Sequence, residues 1–76
     1  MTLTDYLKKL SADERASFAK RCETSPEYLA QIGYGVRKPK VELAIAIDRE
    51  SGGEVSCKQL LPDVDWKYLR GRLAAA

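Results

Sequence analysis

Two helix-start signals stand close together in the first half of the chain, and they constrain the fold more than any other feature. Ser11 to Glu14 form a Ser-x-x-Glu capping box, in which each of the two side chains satisfies a backbone N–H at a helix start. Thr24 to Glu27 give a second start, with Ser25 as the N-cap, proline at the first helical position and an acid in the first turn. Only a few residues separate the two predicted helices. The sequence therefore predicts a helix, a tight turn and a second helix.

Apolar residues recur at helical spacing before, within and after these signals. A first helix precedes Ser11, with Thr2 as its cap, and the helix that follows Ser25 ends at the glycines of Gly33-Tyr34-Gly35. The inward residues predicted for these three helices are Leu3, Tyr6, Leu7, Leu10, Phe18, Ala19, Cys22, Leu29 and Ile32.

The segment Val41 to Ile47 is ambiguous, because its apolar residues alternate as in a strand and also form a helical stripe. Its two alanines and the stop at Gly52-Gly53 favour a buried fourth helix. A short fifth helix follows from Ser56 to Leu61, ended by Pro62. We therefore predict an all-α, compact, five-helix fold that makes one domain over residues 1–76.

Composition excludes several classes of protein. The 76 residues contain no histidine, so the usual general base is absent, and no nucleophile elbow or phosphate loop appears. We expect no enzyme, no metal and no cofactor; Cys22 and Cys57 have no metal-ligand spacing and are expected to be reduced thiols. The start of the chain does not read as a signal peptide, and the longest apolar run, Ala44 to Ile47, is far short of a membrane span. We expect a cytoplasmic protein.

Positive charge is concentrated in the first half of the chain. Residues 1–40 hold eight Lys or Arg and five acids, whereas residues 41–76 hold five and six, within a net charge of +2. The densest stretch is Arg37-Lys38-Pro39-Lys40. Such a run is usually only a solvated loop, and it indicates nucleic-acid binding only beside a reading element.

The stretch FAKRCETSPEYLAQIGYG, from Phe18 to Gly35, resembles the helix-turn-helix of the Cro and CI class of phage repressors. Phe18 and Ala19 match that family's apolar-Ala pair, and Gly35 matches its closing glycine. The wider chain, with LTDYL at the start and VELAIAIDRESGG after the motif, resembles the YdaS-type regulators of prophages over residues 3–66. The resemblance implies a lambda-repressor-like domain whose helix-turn-helix covers about residues 14–34.

One position departs from the family pattern. Glu23 stands where the family has a turn glycine, a site that usually needs left-handed backbone. A non-glycine residue there costs on the order of 1 kcal/mol. Either the turn is strained or its geometry differs from that of the family.

The resemblance implies a protein that binds double-stranded DNA, with the helix that starts near Ser25 in the major groove and the preceding helix across the backbone. The positions expected at base edges are Pro26, Glu27, Gln31 and the adjacent Tyr28. Gln31 can bond adenine at two atoms, Glu27 can accept from cytosine N4, and Pro26 offers only van der Waals contact. The residues expected at phosphates are Arg15, Ser25, Tyr34, Arg37, Lys38 and Lys40. Tyr28 and Tyr34 can instead be packing residues, and Glu27 can instead pair with a lysine.

The C-terminal part of the chain, residues 54–73, is rich in large apolar residues that can close the core or form a two-fold interface. Helix-turn-helix proteins of this class usually act as dimers on half-sites about one DNA turn apart, so we expect a homodimer that acts at the bacterial nucleoid. The alternative is an antitoxin-like module that binds a toxin partner and uses DNA binding for autoregulation.

Overall fold

The structure, a computed structural model, describes residues 1–68, and their regular elements are all helical. Five helices have the bounds α1 Leu3–Lys8, α2 Ala12–Arg21, α3 Pro26–Gly33, α4 Val41–Glu50 and α5 Cys57–Leu60. A sixth helical segment begins at Trp66. The all-α prediction is confirmed for these residues. The five predicted helices correspond to α1–α5, but the segment at Trp66 makes a sixth, which the five-helix prediction did not include. The predicted dimerisation segment, residues 54–73, lies partly outside the described residues.

The helix starts are those that the sequence signals predict. Ser11 Oγ accepts from Glu14 N at 3.2 Å while Glu14 Oε1 accepts from Ser11 N at 2.9 Å, which completes the capping box of α2. The hydrogen bond from Ser11 N is the main reason why the pKa of the Glu14 carboxyl is below its ordinary value. Thr2, Ser25 and Ser56 cap α1, α3 and α5 in the same way, each accepting a backbone N–H. Each cap satisfies one of the donors that a helix start leaves unpaired.

Three helices end in the same left-handed turn. After α2, Glu23 has a φ of 59° and Thr24 N donates to Ala19 O at 2.9 Å. After α3, Gly35 takes this role with a φ of 80°. After α4, Gly52 takes it with a φ of 66°. Paired backbone bonds of this kind form a Schellman motif, which satisfies the last carbonyls of a helix and reverses the chain sharply. The strained alternative for Glu23 is therefore the one that the fold adopts.

The core lies between α1, α2, α3 and α4 and is closed by Val55. The segment Val41 to Ile47 is helical, and its Ala44 and Ile47 are fully buried. The buried apolar residues are Leu3, Tyr6, Leu7, Phe18, Ala19, Cys22, Leu29, Ile32, Ala44, Ile47 and Val55. All the inward residues predicted for the first three helices are in this set except Leu10, which packs against it half-buried.

Two contacts fix α3 and α4 relative to the rest. Gly33 of α3 lies so close to α1 that a Cβ built on it would stand 2.6 Å from Thr4 Oγ1. On the other side of the core, the Glu50 carboxylate of α4 accepts from Arg21 Nε and Arg49 Nε, each at 3.1 Å. The ion pair between Arg21 and Glu50 joins α4 to α2.

Both cysteines are free thiols. Cys22 is buried beside Phe18 and Leu29 in the core set, and burial raises the pKa of its thiol to about 11. The longest helices within residues 1–68 are α2 and α4. No helix in this part of the chain is long and apolar enough to cross a bilayer.

Candidate nucleic-acid interface

Helix α3 has one buried side and one exposed side. Leu29 and Ile32 point into the core, with 0% and 7% of their surface exposed. Glu27 and Gln31 are exposed, and because they are four residues apart they lie above one another on the same face. That face is the one expected to carry base contacts.

Gln31 is held by a residue of the loop that follows α3. Arg37 Nε donates to Gln31 Oε1 at 2.8 Å. The backbone of the loop is tied to the same residue, because Val36 N and Arg37 N both donate to Gln31 O, at 2.9 and 3.3 Å. The expected base contact Gln31 and the expected phosphate contact Arg37 thus form one bonded pair on the surface.

A groove of about 360 Å³ runs between α1, the start of α2 and one flank of α3. Its apolar floor includes Leu7, Ala12 and Ala30. Three of the expected contact residues line this groove, namely Arg15, Pro26 and Tyr34. Lys8, which was not expected to be a contact, lines it as well. Tyr34 is 73% exposed. Pro26, at the first position of α3, thus lines the same groove as Arg15 and Tyr34.

The opposite flank of α3 faces α2 and α4. Tyr28 is half-buried and packs against the core cluster, so its ring has the packing role that was left open for it. Tyr28 and Lys40 line a second groove together with Lys20 and Glu23 from the end of α2. Lys40 is also the N-cap residue of α4, where its side chain makes no capping hydrogen bond.

Ser25 is exposed at the start of α3. Its hydroxyl oxygen accepts from Tyr28 N at 3.1 Å, which leaves the hydroxyl hydrogen available as a donor. A capping serine can thus hold the helix and still donate one hydrogen bond to an external acceptor such as a phosphate oxygen.

Most of the basic residues around α3 take no part in the ion pairs of residues 1–68. Those ion pairs join Lys9 to Glu54 and Arg21 and Arg49 to Glu50. The exposed cations that flank α3 outside these pairs are Lys8, Arg15, Lys20, Arg37, Lys38 and Lys40. Within the described residues no group of acids and cysteines could hold a metal ion.

Two features of this surface were not predicted from the sequence. Lys8 belongs to α1, far in sequence from the motif, and only the packing of α1 on α3 brings it to the groove of Arg15 and Tyr34. The hydrogen bond between Arg37 and Gln31 was also missed. Its only sequence signal is the glycine at position 35, which allows the sharp turn that brings the basic loop back over α3.

Comparison with known proteins gives one informative similarity. No family model matches the chain. A protein of Escherichia coli (strain K12) named "Putative transcriptional regulator YdaS" is 41% identical to it over 56 residues, which are 74% of this chain and 57% of that protein. The chain therefore spans little more than half the length of this relative. The relative is named for regulation and not for a catalysed reaction, in agreement with the expectation that the chain is not an enzyme. The chain is thus similar, over most of its length, to a protein named as a transcriptional regulator.

Proposed function

We propose that the chain is a sequence-specific DNA-binding transcriptional regulator of the Cro-like, lambda-repressor-like type, in which residues 1–76 make one domain. In this proposal α2 and α3 are the helix-turn-helix, with α3 in the major groove and α2 across the DNA backbone. The observation that carries the proposal is the exposed face of α3 with Glu27 and Gln31, on a helix whose other residues line two grooves that contain cations. The similarity to a protein named as a transcriptional regulator supports the same function.

The roles proposed for individual residues follow from where they lie around α3. Gln31 and Glu27 read base edges, because an amide or a carboxylate on the outer face can reach groove atoms. Pro26 contributes van der Waals contact, and Tyr28, adjacent to Glu27 and half-buried against the core, is the remaining proposed base contact. The phosphate contacts are assigned to Arg15, Ser25, Tyr34, Arg37, Lys38 and Lys40, to which the groove adds Lys8. Phosphate contacts of this kind set the position and orientation of a protein on DNA, and base contacts set its specificity.

A homodimer on a palindromic operator is part of the proposal. A single domain of this size makes few base contacts, and two copies on half-sites about 34 Å apart double them. In the C-terminal segment Tyr68 is a candidate interface residue, because 61% of its surface is exposed. Val55 of the same segment is buried in the core and is not available for an interface. Sedimentation equilibrium with and without the selected duplex tests this point, and a single protein copy on a palindromic duplex would contradict it.

The experiment that tests the function is selection from a pool of random duplexes, followed by fluorescence anisotropy titration of the selected site. We expect a palindromic motif, bound with an affinity that falls steeply with salt because cations at phosphates release counterions. Gln31→Ala should weaken the selected site by about 5- to 150-fold, the range for one good bidentate base contact. Gln59→Ala is the matched control: it removes a glutamine amide from α5, in the groove that Arg37 and Lys38 line, and should leave the base preference of the selected site unchanged.

The salt dependence of DNA affinity distinguishes residues that contact phosphates from residues that contact bases. Lys38→Met should lower the slope of log affinity against log salt by about 1 and weaken all duplexes alike. Lys58→Met removes the same charge from α5 and should leave the slope unchanged. If no duplex is enriched and binding is weak and uniform, the DNA-reading function is wrong, and the alternative of a toxin-binding, antitoxin-like module replaces it.

A further inference from the structure

We infer that Arg37 and Gln31 form one base-reading unit, and that the base it selects is guanine. This inference rests on the DNA-binding function proposed above and refines it. It reassigns Arg37 from a phosphate contact to a base contact, and it changes the expected target of Gln31 from adenine to guanine.

The hydrogen bond between the two side chains fixes the orientation of the amide. An arginine side chain has only donors, so the amide atom that faces Arg37 Nε at 2.8 Å is the oxygen of Gln31. The amide nitrogen, with its two N–H groups, is then on the other branch of the amide. One lone pair of the Gln31 oxygen is already used by Arg37.

The pair that results is rich in donors. Arg37 uses Nε for Gln31, and the N–H groups of its two terminal nitrogens stay available beside the N–H groups of the Gln31 amide. Guanine presents two acceptors, N7 and O6, on its major-groove edge, whereas adenine presents one acceptor and one N6 donor. The N6 donor of adenine would face a positively charged guanidinium. Guanine can instead accept from both side chains, and the charge of Arg37 strengthens its bond.

The backbone holds the pair in place independently of the side-chain bond. Arg37 N and Val36 N both donate to the carbonyl of Gln31, and Gly35 makes this turn possible with a φ of 80°. Arg37 is therefore brought back over the C-terminal half of α3 by its own backbone, and its side chain needs little further ordering to reach Gln31. Lys38, the next residue along, also lines the groove that Arg37 lines but makes no hydrogen bond to α3 among the described residues.

The test compares two duplexes that differ in one base pair. The base pair controlled by Gln31 is first identified as the position of the selected site at which Gln31→Ala loses its preference. Affinities for the G·C and A·T forms of that position are then measured for the wild type, Arg37→Lys and Lys38→Met. Both Arg37 and Lys38 are exposed, so these variants are expected to fold, which thermal unfolding checks.

We expect the wild type to favour guanine by about 5- to 150-fold and Arg37→Lys to lose most of that preference. Lysine keeps the charge but not the planar fork, so the salt slope of Arg37→Lys should stay that of the wild type. Lys38→Met should keep the guanine preference and lose part of the salt slope. Replacing the guanine by 7-deazaguanine, which keeps base pairing and removes N7, should weaken the wild type.

Other results overturn the inference in recognisable ways. A preference for adenine at this position, or a guanine preference that Arg37→Lys leaves intact, overturns it while the DNA-binding function stands. A uniform loss of affinity for both duplexes in Arg37→Lys would return Arg37 to a phosphate role. Failure of the wild type to select any duplex would overturn the proposed function itself, and the inference with it.

Discussion

Glu23 shows how a single residue sets the turn between α2 and α3. Its φ of 59° is left-handed, a conformation in which the Cβ of any residue except glycine is crowded by the backbone. The backbone bonds from Glu23 N to Lys20 O and from Thr24 N to Ala19 O hold it there. The strain is confined to this residue. It allows a complete Schellman turn, which satisfies the last carbonyls of α2 and leads directly into the Ser25 cap of α3.

Replacing Glu23 by glycine is therefore expected to stabilise the protein. Glycine adopts this φ without crowding, although it also gives the unfolded chain more conformational entropy, so Glu23→Gly should raise the free energy of unfolding by about 0.5–1 kcal/mol. Urea unfolding followed by the fluorescence of Trp66 measures the change. Glu23→Ala removes the carboxylate but keeps the crowding, and the prediction is wrong if the alanine variant is as stable as the glycine variant.

At the scale of the elements, the register of α1 on α3 depends on one glycine. Gly33 lies within the last turn of α3 and faces Thr4 of α1, with room for hydrogen but not for a methyl group beside Thr4 Oγ1. Close approach of these two helices brings Lys8 of α1 to the groove of Arg15 and Tyr34. The helix contact thus shapes one flank of the proposed DNA-binding surface.

A double-mutant cycle tests this contact. Gly33→Ala alone meets the Thr4 hydroxyl, which offsets the gain of about 1 kcal/mol that alanine brings in a helix. In a Thr4→Ala background the hydroxyl is absent and that gain should appear in the free energy of unfolding. We expect a coupling energy of about 0.5–2 kcal/mol between the two positions. Additive effects of the two substitutions would show that α1 and α3 are not in this close contact.

At the scale of the whole molecule, the buried thiol of Cys22 links folding to pH. Burial among the core residues disfavours the thiolate first, and the nearby Glu50 carboxylate adds to this, so the pKa rises from 9.0 to about 11. The unfolded chain loses the thiol proton at the lower pH. The stabilising effect is therefore complete below about pH 9 and is lost as the pH rises toward 11.

We expect the free energy of unfolding to fall by on the order of 2 kcal/mol across this interval through Cys22. Denaturant unfolding at a series of pH values measures the fall. Cys22→Ala serves as the reference, since it lacks this thiol and keeps every other side chain. Equal pH dependence in the two proteins would mean that Cys22 is not shielded from water in the folded state.

Local sequence signals predicted α1–α5 and most of the core, but not the helical segment at Trp66. Helix caps, Schellman turns and apolar periodicity are local, because they act between residues at most a few positions apart. The starts of α2 and α3, their tight connection and the burial of Leu29 could all be predicted for that reason. Even the left-handed Glu23 was foreseen as one of two alternatives, from its place in the motif.

The grouping of the exposed side chains depends on contacts between helices. Tyr28 packs half-buried against the core, and Pro26 lines a groove together with Arg15, because the contacts of α3 with α1 and α2 set which side of the helix stays open. Lys8 joins the surface from a distant helix, and Arg37 returns over Gln31 through a turn. These relations depend on distances between residues remote in sequence or separated by a reversal of the chain. The periodicity of apolar residues carries no information on such distances, because they are set by how the helices pack against one another.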